Sequence, residues 1–468
     1  MLLNNLYKSL IIIVLVIIPF SCSDDILDEI NKNPNSPTDV PISLLLPQSM
    51  VSTFEGIAGN PAGVYASLFV EHATNVHLNP RLPSDISGFF NSIYAVLNDL
   101  KVVIEKGSDG GSEAGQYHAV GIAKFLYVYT LSIGTDLFGE MPHSEALQGS
   151  LIRQPKFDSQ QEIYSYMLST LDEAIADFNK TSITAVNPID LQFNGNIDLW
   201  KKSTYALKAR LLNRLSNVDP KNQEILSAIS NSFTSADESM IFNGYLPGSS
   251  NDNPWTAYQK SQQGFAISST FIDILNSYNE SIEDPRAVNW FTKINDAYAG
   301  AQPGGAEADL SHTTYSAPSI DNVLFDDASQ PLLTYDEIKF IEAEVYFRMG
   351  EMENANSAYQ MAVTEALKRA GIDADGISTY TSQSTVFPSV DNLTLKHIIE
   401  QKYISFWMFQ SLEAFNDQRR TGIPEMQNPF GTPNRIPYPN SEIDRNLNTP
   451  SQINDVTIYT IPLWWQKK

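Results

Sequence analysis

Apolar residues recur along most of the chain with the 3.6-residue period of amphipathic α-helices, whereas the two-residue alternation of β-strands is scarce. The pattern predicts a mainly α fold whose principal helices cover these segments: 88–106, 113–134, 159–179, 198–217, 334–349, 352–370, 393–409 and 411–419. Capping residues support several boundaries, with Ser159 and Asp198 at predicted starts and Gly350 at a predicted end.

Residues 336–370 carry a pattern typical of tetratricopeptide helix pairs. Ala343 and Tyr346 are followed by Ala355 and Tyr359, the small and aromatic positions at which such pairs pack. The alanines let two helices approach closely, and the tyrosine rings fill the gap between turns. Two other pairs resemble this one less closely: 113–134 with 159–179, and 198–217 with 220–232. Because one repeat cannot bury its own apolar face, at least three are needed, and we expect a packed tetratricopeptide-like scaffold.

Two segments rich in glycine and proline interrupt the helical pattern, 240–331 and 421–468. We interpret 240–331 as an ordered, loop-rich insertion, because flexible linkers carry few aromatic residues. Exposed rings in loops can stack on the apolar face of a sugar while polar neighbours bond its hydroxyls. The insertion is therefore the predicted ligand face, and the loop at 75–85 is a second source of polar contacts. The candidate ligand contacts are Trp255, Tyr258, Trp290, Tyr298 and Tyr315. The competing interpretation is that these rings fill the insertion's own small core.

The N-terminus predicts export. Lys8 precedes an apolar run at 10–18, which at about 1.5 Å per residue is too short to cross a hydrocarbon core about 30 Å thick. A charged start, an apolar middle and the small Ser21 are typical of a secretory signal, which we assign to residues 1–21.

Cys22, the only cysteine, directly follows this segment. Its position resembles a bacterial lipoprotein processing site, at which the thiol is acylated and becomes the new N-terminus. An ordinary signal followed by a chance cysteine is the alternative. Residues 22–41, rich in Asn, Pro, Ser and Asp, are predicted to form a flexible tether between the lipid and a single domain at 42–468.

The formal net charge is −24. Phosphate backbones are bound through several Lys and Arg contacts, so this charge excludes nucleic acid as a partner. Anionic headgroups would also repel the chain, and we therefore expect membrane attachment through lipid alone. The nearest basic cluster, Arg419-Arg420, is predicted to tie the last helix to acidic neighbours.

Local catalytic and metal-binding motifs are scarce, and we predict a non-enzymatic protein with no cofactor and no metal site. Dinucleotide, phosphate-loop and nucleophile-elbow patterns do not occur. His72 and His77 lack the spacing of a metal-binding pair, so packed or exposed histidines are the favoured interpretation. Residues 190–195 are similar to the start of a calcium loop, but Lys201 stands where a bidentate Glu is required, which favours a turn. Paired carboxylates for glycoside hydrolysis have no local signature, so a surface glycosidase stays open.

Motifs spread over nearly the whole chain resemble the SusD/RagB family of nutrient-binding outer-membrane lipoproteins, specifically its SusD-like branch. In chain order they are Cys22-Ser23-Asp24, 31–37, 44–47, 135–142, 194–196 with 200–211, 336–362, 401–403, 419–424, and 435–439 with Glu442 and Asn446. The motif at 135–142 is similar to a family loop between the helices of the first repeat.

The resemblance implies a lipid-anchored protein of the outer membrane, exposed at the cell surface, whose insertions form the ligand face of a tetratricopeptide-like body. It implies binding of nutrient oligosaccharides and their delivery to a TonB-dependent, SusC-like barrel that the protein covers as a lid. Some branches bind peptides, so a peptide-binding lid is one alternative. A scaffold that holds other proteins is a second, because tetratricopeptide-like surfaces often do so.

Overall fold

The structure is a computed structural model, and it describes residues 39–59, 61–75, 86–248, 251–262, 264–304 and 314–467. The predicted signal segment, Cys22 and His77 lie outside these ranges, as do most of the tether at 22–41 and most of the loop at 75–85.

Within the described ranges the chain is mainly α-helical, as its periodicity predicts. The helices are α1 (Ile42–Val51), α2 (Pro61–Phe69), α3 (Ser87–Gly107), α4 (Tyr117–Phe138), α5 (Gln160–Phe178), α6 (Ile197–Arg214), α7 (Asn222–Ser230), α8 (Pro254–Gln262), α9 (Ser269–Ser277), α10 (Arg286–Trp290), α11 (Tyr335–Met349), α12 (Met352–Arg369), α13 (Ala374–Thr381), α14 (Leu395–Ser405), α15 (Ser411–Thr421) and α16 (Asn440–Arg445). A π-helix, Ser52–Gly59, follows α1.

The strands are short and pair as antiparallel two-stranded ladders. They are β1 (Ala73–Asn75), β2 (Met141–Pro142), β3 (Phe157–Asp158), β4 (Met240–Phe242), β5 (Phe265–Ile267) and β6 (Gln330–Leu333). The ladders join β1 to β5, β2 to β3 and β4 to β6.

The scaffold contains the helix pairs that the repeat pattern predicts: α4 with α5, α6 with α7, and α11 with α12. In the last pair Ala343, Ala355 and Tyr359 are fully buried, which matches their predicted packing role. The Tyr359 hydroxyl donates to a backbone carbonyl 2.9 Å away, so its burial costs no lost hydrogen bond. Gly350 ends α11 with a φ of +77°, a left-handed conformation that glycine adopts without strain.

Two helices differ most from their predicted bounds, and the first of them, α4, also runs four residues past the predicted end, to Phe138. The helix predicted at 113–134 begins later, as α4, because Gly115 holds a φ of +91° that interrupts any helix there. The helix predicted at 393–409 ends at Ser405, because Met408 has a φ of +65° and the chain turns before α15. Backbone geometry of this kind has no periodic signal in the sequence.

One predicted cap is confirmed and one is wrong. Ser159 caps α5 in a capping box with Glu162, whose carboxylate accepts the Ser159 amide at 2.9 Å. For α6 the cap is Asn196, whose side chain accepts the amide of Leu199 at 3.2 Å. Asp198 lies instead in the first turn, where its charge complements the helix dipole.

The motif at 135–142 is helical at its start, because Asp136 lies in the last turn of α4 and is buried. The Asp136 carboxylate accepts hydrogen bonds from Tyr164 of α5 (2.5 Å), Arg214 of α6 (3.0 Å) and Trp465 near the C-terminus (3.2 Å). Burial raises the pKa of Asp136, and the charge of Arg214 opposes that rise. One carboxylate therefore joins two helix pairs to the C-terminal segment.

The prediction for the basic pair is confirmed at Arg420. Its guanidinium donates to Glu344 of α11 and to Asp417, each at 2.8 Å, and all three side chains are buried. Arg419 differs, because it donates to the backbone carbonyl of Asp136 at 2.8 Å. Both arginines thus tie α15 to the scaffold.

The first and last strands of the predicted insertion pair with each other, since Met240 in β4 lies opposite Leu333 in β6. The segment 240–331 therefore leaves the helical body and returns to it at one place. A second ladder, in which Ala73 lies opposite Ile267, fixes the middle of the segment to the body. Residues Ile42–Lys468 form one compact unit. No helix in the described part of the chain has both the length and the apolar character needed to cross a bilayer.

Candidate ligand-binding cleft

A cleft of about 910 Å³ lies where the segment 240–331 meets the helical body. The segment contributes Asp321 and Phe325, among others, and the body contributes Arg369 at the end of α12 and Trp407 after α14. Small-molecule sites are typically concave, about 300–1,000 Å³ in volume, with a few polar groups among apolar ones. The cleft has the size and the mixed lining of such a site.

Aromatic rings form one wall of the cleft. The indoles of Trp290 and Trp407 stack with centroids 5.0 Å apart and planes inclined by 24°. The Trp407 indole N–H donates to the carbonyl of His72 at 3.3 Å, which restrains that ring. Phe325 is 41% exposed and is the most accessible ring of the lining. An accessible ring beside polar groups is the arrangement with which proteins hold ligands that have an apolar face and a polar rim.

A buried ion pair supports Trp290. Arg286, one turn earlier on α10, places its guanidinium carbon 5.4 Å from the centroid of the Trp290 ring. Asp284 accepts the Arg286 Nε at 2.9 Å and the Nη2 at 2.5 Å, and neither charged side chain is exposed to solvent. A buried guanidinium is stable only when paired, so Asp284 holds the cation that restrains the indole.

Arg369 is the one basic residue that lines the cleft, and its charge is already paired. Its Nε and Nη2 donate to the two carboxylate oxygens of Asp336 at 3.0 and 2.8 Å, and Nη2 also donates to the carbonyl of Ser405 at 2.9 Å. Burial alone would raise the pKa of Asp336, but the Arg369 charge and the hydrogen bonds outweigh it and lower that pKa below its ordinary value.

The rest of the polar lining consists of two carboxylates and of Ser, Asn and Gln side chains, which can both donate and accept hydrogen bonds. Asp237 and Asp321 are exposed carboxylates of the cleft, and among the residues that the structure describes neither forms an ion pair. Gln192 donates its side-chain amide to the carbonyl of Ile241 at 2.9 Å, while its Oε1 is buried without a partner. The two exposed carboxylates therefore favour ligands that carry hydrogen-bond donors, such as hydroxyl groups.

Of the five aromatic residues predicted to contact ligand, Trp290 lines the cleft and the other four do not. Tyr258 is half-buried with its ring 4.8 Å from a buried phenylalanine ring, and Tyr298 packs edge-on against another at 5.7 Å. Tyr315 covers two buried alanines. Trp255 is fully buried and presents no ring face to a ligand.

Trp255 follows the competing interpretation, in which the ring fills a core. A Cβ atom on Gly63 would lie 2.5 Å from the indole, so the ring fills the space that this glycine leaves. Phe265 and Phe409 enclose it at centroid distances of 5.7 and 6.2 Å. The insertion thus docks on the body through Trp255.

Sequence reasoning missed most of the cleft. Asp237, Arg369 and Trp407 belong to the helical body, and nothing in the local sequence connects them to the insertion. Phe325 gave no distinguishing signal either, because it ends an apolar triplet, 323–325, in which Leu324 is buried while Phe325 is exposed.

Two other predicted features have structural roles. His72 is fully buried between the Ser411 hydroxyl (2.9 Å) and the Tyr403 carbonyl (3.0 Å), and burial lowers its pKa to about 3. Asp190 closes the turn at 190–195 by accepting the amide of Gly195 and the indole N–H of Trp200, both at 2.8 Å. In the described ranges no cluster of three or more His, Cys, Asp or Glu side chains is arranged to hold a metal ion.

These observations define an α-helical, repeat-based protein with a ligand-sized cleft beside a large insertion. The family model described as SusD-like, starch-binding and associating with the outer membrane matches residues 34–440. The chain belongs to this SusD-like family. No curated protein matches it significantly.

Solved structures agree on the fold. A SusD/RagB family protein from Bacteroides thetaiotaomicron is 26% identical, with a TM-score of 0.78, and the match covers 92% of this chain and 99% of that one. A chitin-binding protein is 22% identical, with a TM-score of 0.73 and coverage of 91% and 99%. A chitin-binding SusD homologue from Flavobacterium johnsoniae is 20% identical, with a TM-score of 0.72 and coverage of 90% and 98%.

Proposed function

We propose that this protein is a lipid-anchored, non-enzymatic receptor at the cell surface that binds nutrient oligosaccharides and delivers them to a TonB-dependent, SusC-like barrel in the outer membrane. Acylation of Cys22 would supply the anchor, and the tether at 22–41 would allow the body at 42–468 to move as a lid. Membership of a family described as starch-binding and associating with the outer membrane supports the ligand class and the location.

The observation that carries the proposal is the combination of rings and acceptors in one cleft. Phe325 offers an accessible ring, and Trp290 forms part of the wall beside it. Asp237 and Asp321 supply carboxylate oxygens that accept hydroxyl hydrogens. A saccharide presents an apolar ring face and a rim of hydroxyls, so it matches both features at once.

The test is calorimetric titration of the purified mature body with starch-type and chitin-type oligosaccharides, and with short peptides as the alternative ligand class. We expect Phe325→Ala and Trp290→Ala each to weaken saccharide binding by roughly two- to twelvefold, the range that an aromatic contact of about 0.5–1.5 kcal/mol represents. Tyr166, 38% exposed on α5 and outside the cleft, is the matched control, and Tyr166→Ala should bind normally.

Two results would contradict this function. Binding of peptides but of no saccharide would favour the peptide-binding lid. Release of reducing ends from a glycan, abolished by Asp237→Asn or Asp321→Asn, would make the protein a glycosidase.

Transport is tested separately by affinity purification from native membranes, where we expect a large outer-membrane barrel to copurify without added glycan. Recovery of a soluble partner instead would support the scaffold alternative.

A further inference from the structure

We propose that the cleft is selective for oligosaccharides that carry free ammonium groups, such as deacetylated hexosamine oligomers, and that Asp237 and Asp321 determine this selectivity. The inference rests on the proposed function, because it names the ligand class of the same cleft. The evidence is the net negative charge of the cleft lining and the use of its amide N–H groups by the backbone.

The charge of the lining is negative. Asp237 and Asp321 contribute two carboxylates that form no ion pair among the described residues. The one basic lining residue, Arg369, uses its Nε and Nη2 on Asp336, so its charge is compensated within the protein. An entering cation would meet two free carboxylates, whereas an entering carboxylate would meet no uncompensated cation of the lining.

The amide groups of the lining add to this preference. Gln192 and Asn243 direct their side-chain N–H groups to the carbonyl of Ile241, at 2.9 and 3.5 Å. Asn289 directs its own to the carbonyl of Ala370 at 3.4 Å. Each of these NH2 groups thus spends one hydrogen bond on the backbone, which reduces the donors that the lining can offer to a ligand. An ammonium group supplies three donors and a hydroxyl group supplies one, so the amino sugar matches the lining better.

The experiment compares three trisaccharides of similar size: fully deacetylated glucosamine, N-acetylglucosamine and galacturonate. Titrations are run at pH 5.5, at which the sugar amines carry charge, in 20 mM and in 500 mM salt. Each exposed ion pair strengthens binding by a factor of roughly 1.4 to 5, so two carboxylates should give the cationic trisaccharide roughly a two- to twenty-fivefold advantage over the neutral one at low salt. The advantage should shrink at high salt, and the galacturonate should bind most weakly.

The decisive variant is Asp237→Asn with Asp321→Asn, which should remove the advantage, so that the cationic and the neutral trisaccharide bind this variant with affinities within twofold of each other. The matched control is Asp375→Asn with Asp455→Asn, which removes two exposed carboxylates outside the lining. The control variant should still bind the cationic trisaccharide more tightly than the neutral one, by the same factor as the original protein. It therefore separates an effect of the cleft from general attraction of cations to a chain of net charge −24.

Equal affinity for the cationic and the neutral trisaccharide would overturn the inference, as would an advantage that persists without Asp237 and Asp321. Both results would leave glycan binding itself intact. If no saccharide of any charge binds and Phe325→Ala has no effect, the proposed function fails and this inference fails with it.

Discussion

Glu344 allows the buried charge network to be tested directly. Its carboxylate, 1% exposed in α11, accepts a hydrogen bond from Arg420 Nη2 at 2.8 Å and one from the Asn213 amide at 3.0 Å, and Arg348 pairs with it from the next turn. The substitution Glu344→Gln keeps the volume of the side chain and removes its charge. Two guanidinium groups then lose their shared counter-ion inside the protein.

The expected loss of unfolding free energy follows from the burial of Glu344. Removing one partner of a buried ion pair costs about 3–5 kcal/mol, because the remaining charge stays desolvated. Arg420 keeps a second carboxylate, Asp417, at 2.8 Å, and Arg348 is partly exposed, so both cations retain some compensation. We therefore expect Glu344→Gln to lower the free energy of unfolding by about 3 kcal/mol at pH 7, at the lower end of that range.

The assay is urea unfolding of the purified body, followed by tryptophan fluorescence and circular dichroism. Glu342, two residues earlier on α11, is the matched control, because it pairs with Lys339 at 2.7 Å while both side chains are partly exposed. Glu342→Gln should cost less than about 1 kcal/mol. Equal effects of the two substitutions would refute the reasoning from burial.

The pH dependence gives a second test of the same residue. Burial opposes ionisation of Glu344, but Arg420 and Arg348 outweigh it, and the pKa of this carboxyl is lowered. A lowered pKa means that the stabilisation is complete above the unfolded-state value of about 4.3 and is lost as the pH falls. The difference between the original protein and Glu344→Gln should therefore narrow below pH 4. A difference that stays constant from pH 7 to pH 3 would mean that the charge of Glu344 is not its source.

Three further predictions concern other parts of the chain. Ala355→Leu should overpack the helix pair α11–α12 and cost about 1–3 kcal/mol, so an unchanged melting temperature would show that this contact is looser than described. The pKa of His72 is lowered to about 3, so the folded state binds fewer protons than the unfolded chain, and the free energy of unfolding should fall by about 2 kcal/mol between pH 7 and pH 5. In urea titrations at different pH values, His72→Gln should reduce this dependence of the unfolding free energy on pH. An unaltered pH dependence would exclude His72 as its cause. Cys22→Ser should release the protein from membranes, and continued sedimentation with the membrane fraction would contradict a lipid anchor.

Local patterns in the sequence were sufficient for the scaffold. The helices and their pairing follow from apolar residues at helical spacing and from small residues such as Ala343 and Ala355, whose effect acts over a few turns. The turn closed by Asp190 and the cap at Ser159 follow for the same reason, because each depends on neighbours within about ten residues. The family resemblance added the expected ligand face, but it did not identify the contacts within it.

The cleft itself was decided by tertiary structure. Asp237, Trp290 and Arg369 lie far apart in the sequence and meet only because the insertion leaves and re-enters the body at one ladder. Trp255 shows what local sequence cannot predict, because in a segment without periodicity an exposed and a buried aromatic residue have the same sequence pattern. Its burial depends on the space left by Gly63, almost two hundred residues earlier. Periodicity reports which side of a helix is apolar, whereas the position of a ring in an irregular segment depends on long-range packing that local sequence does not encode.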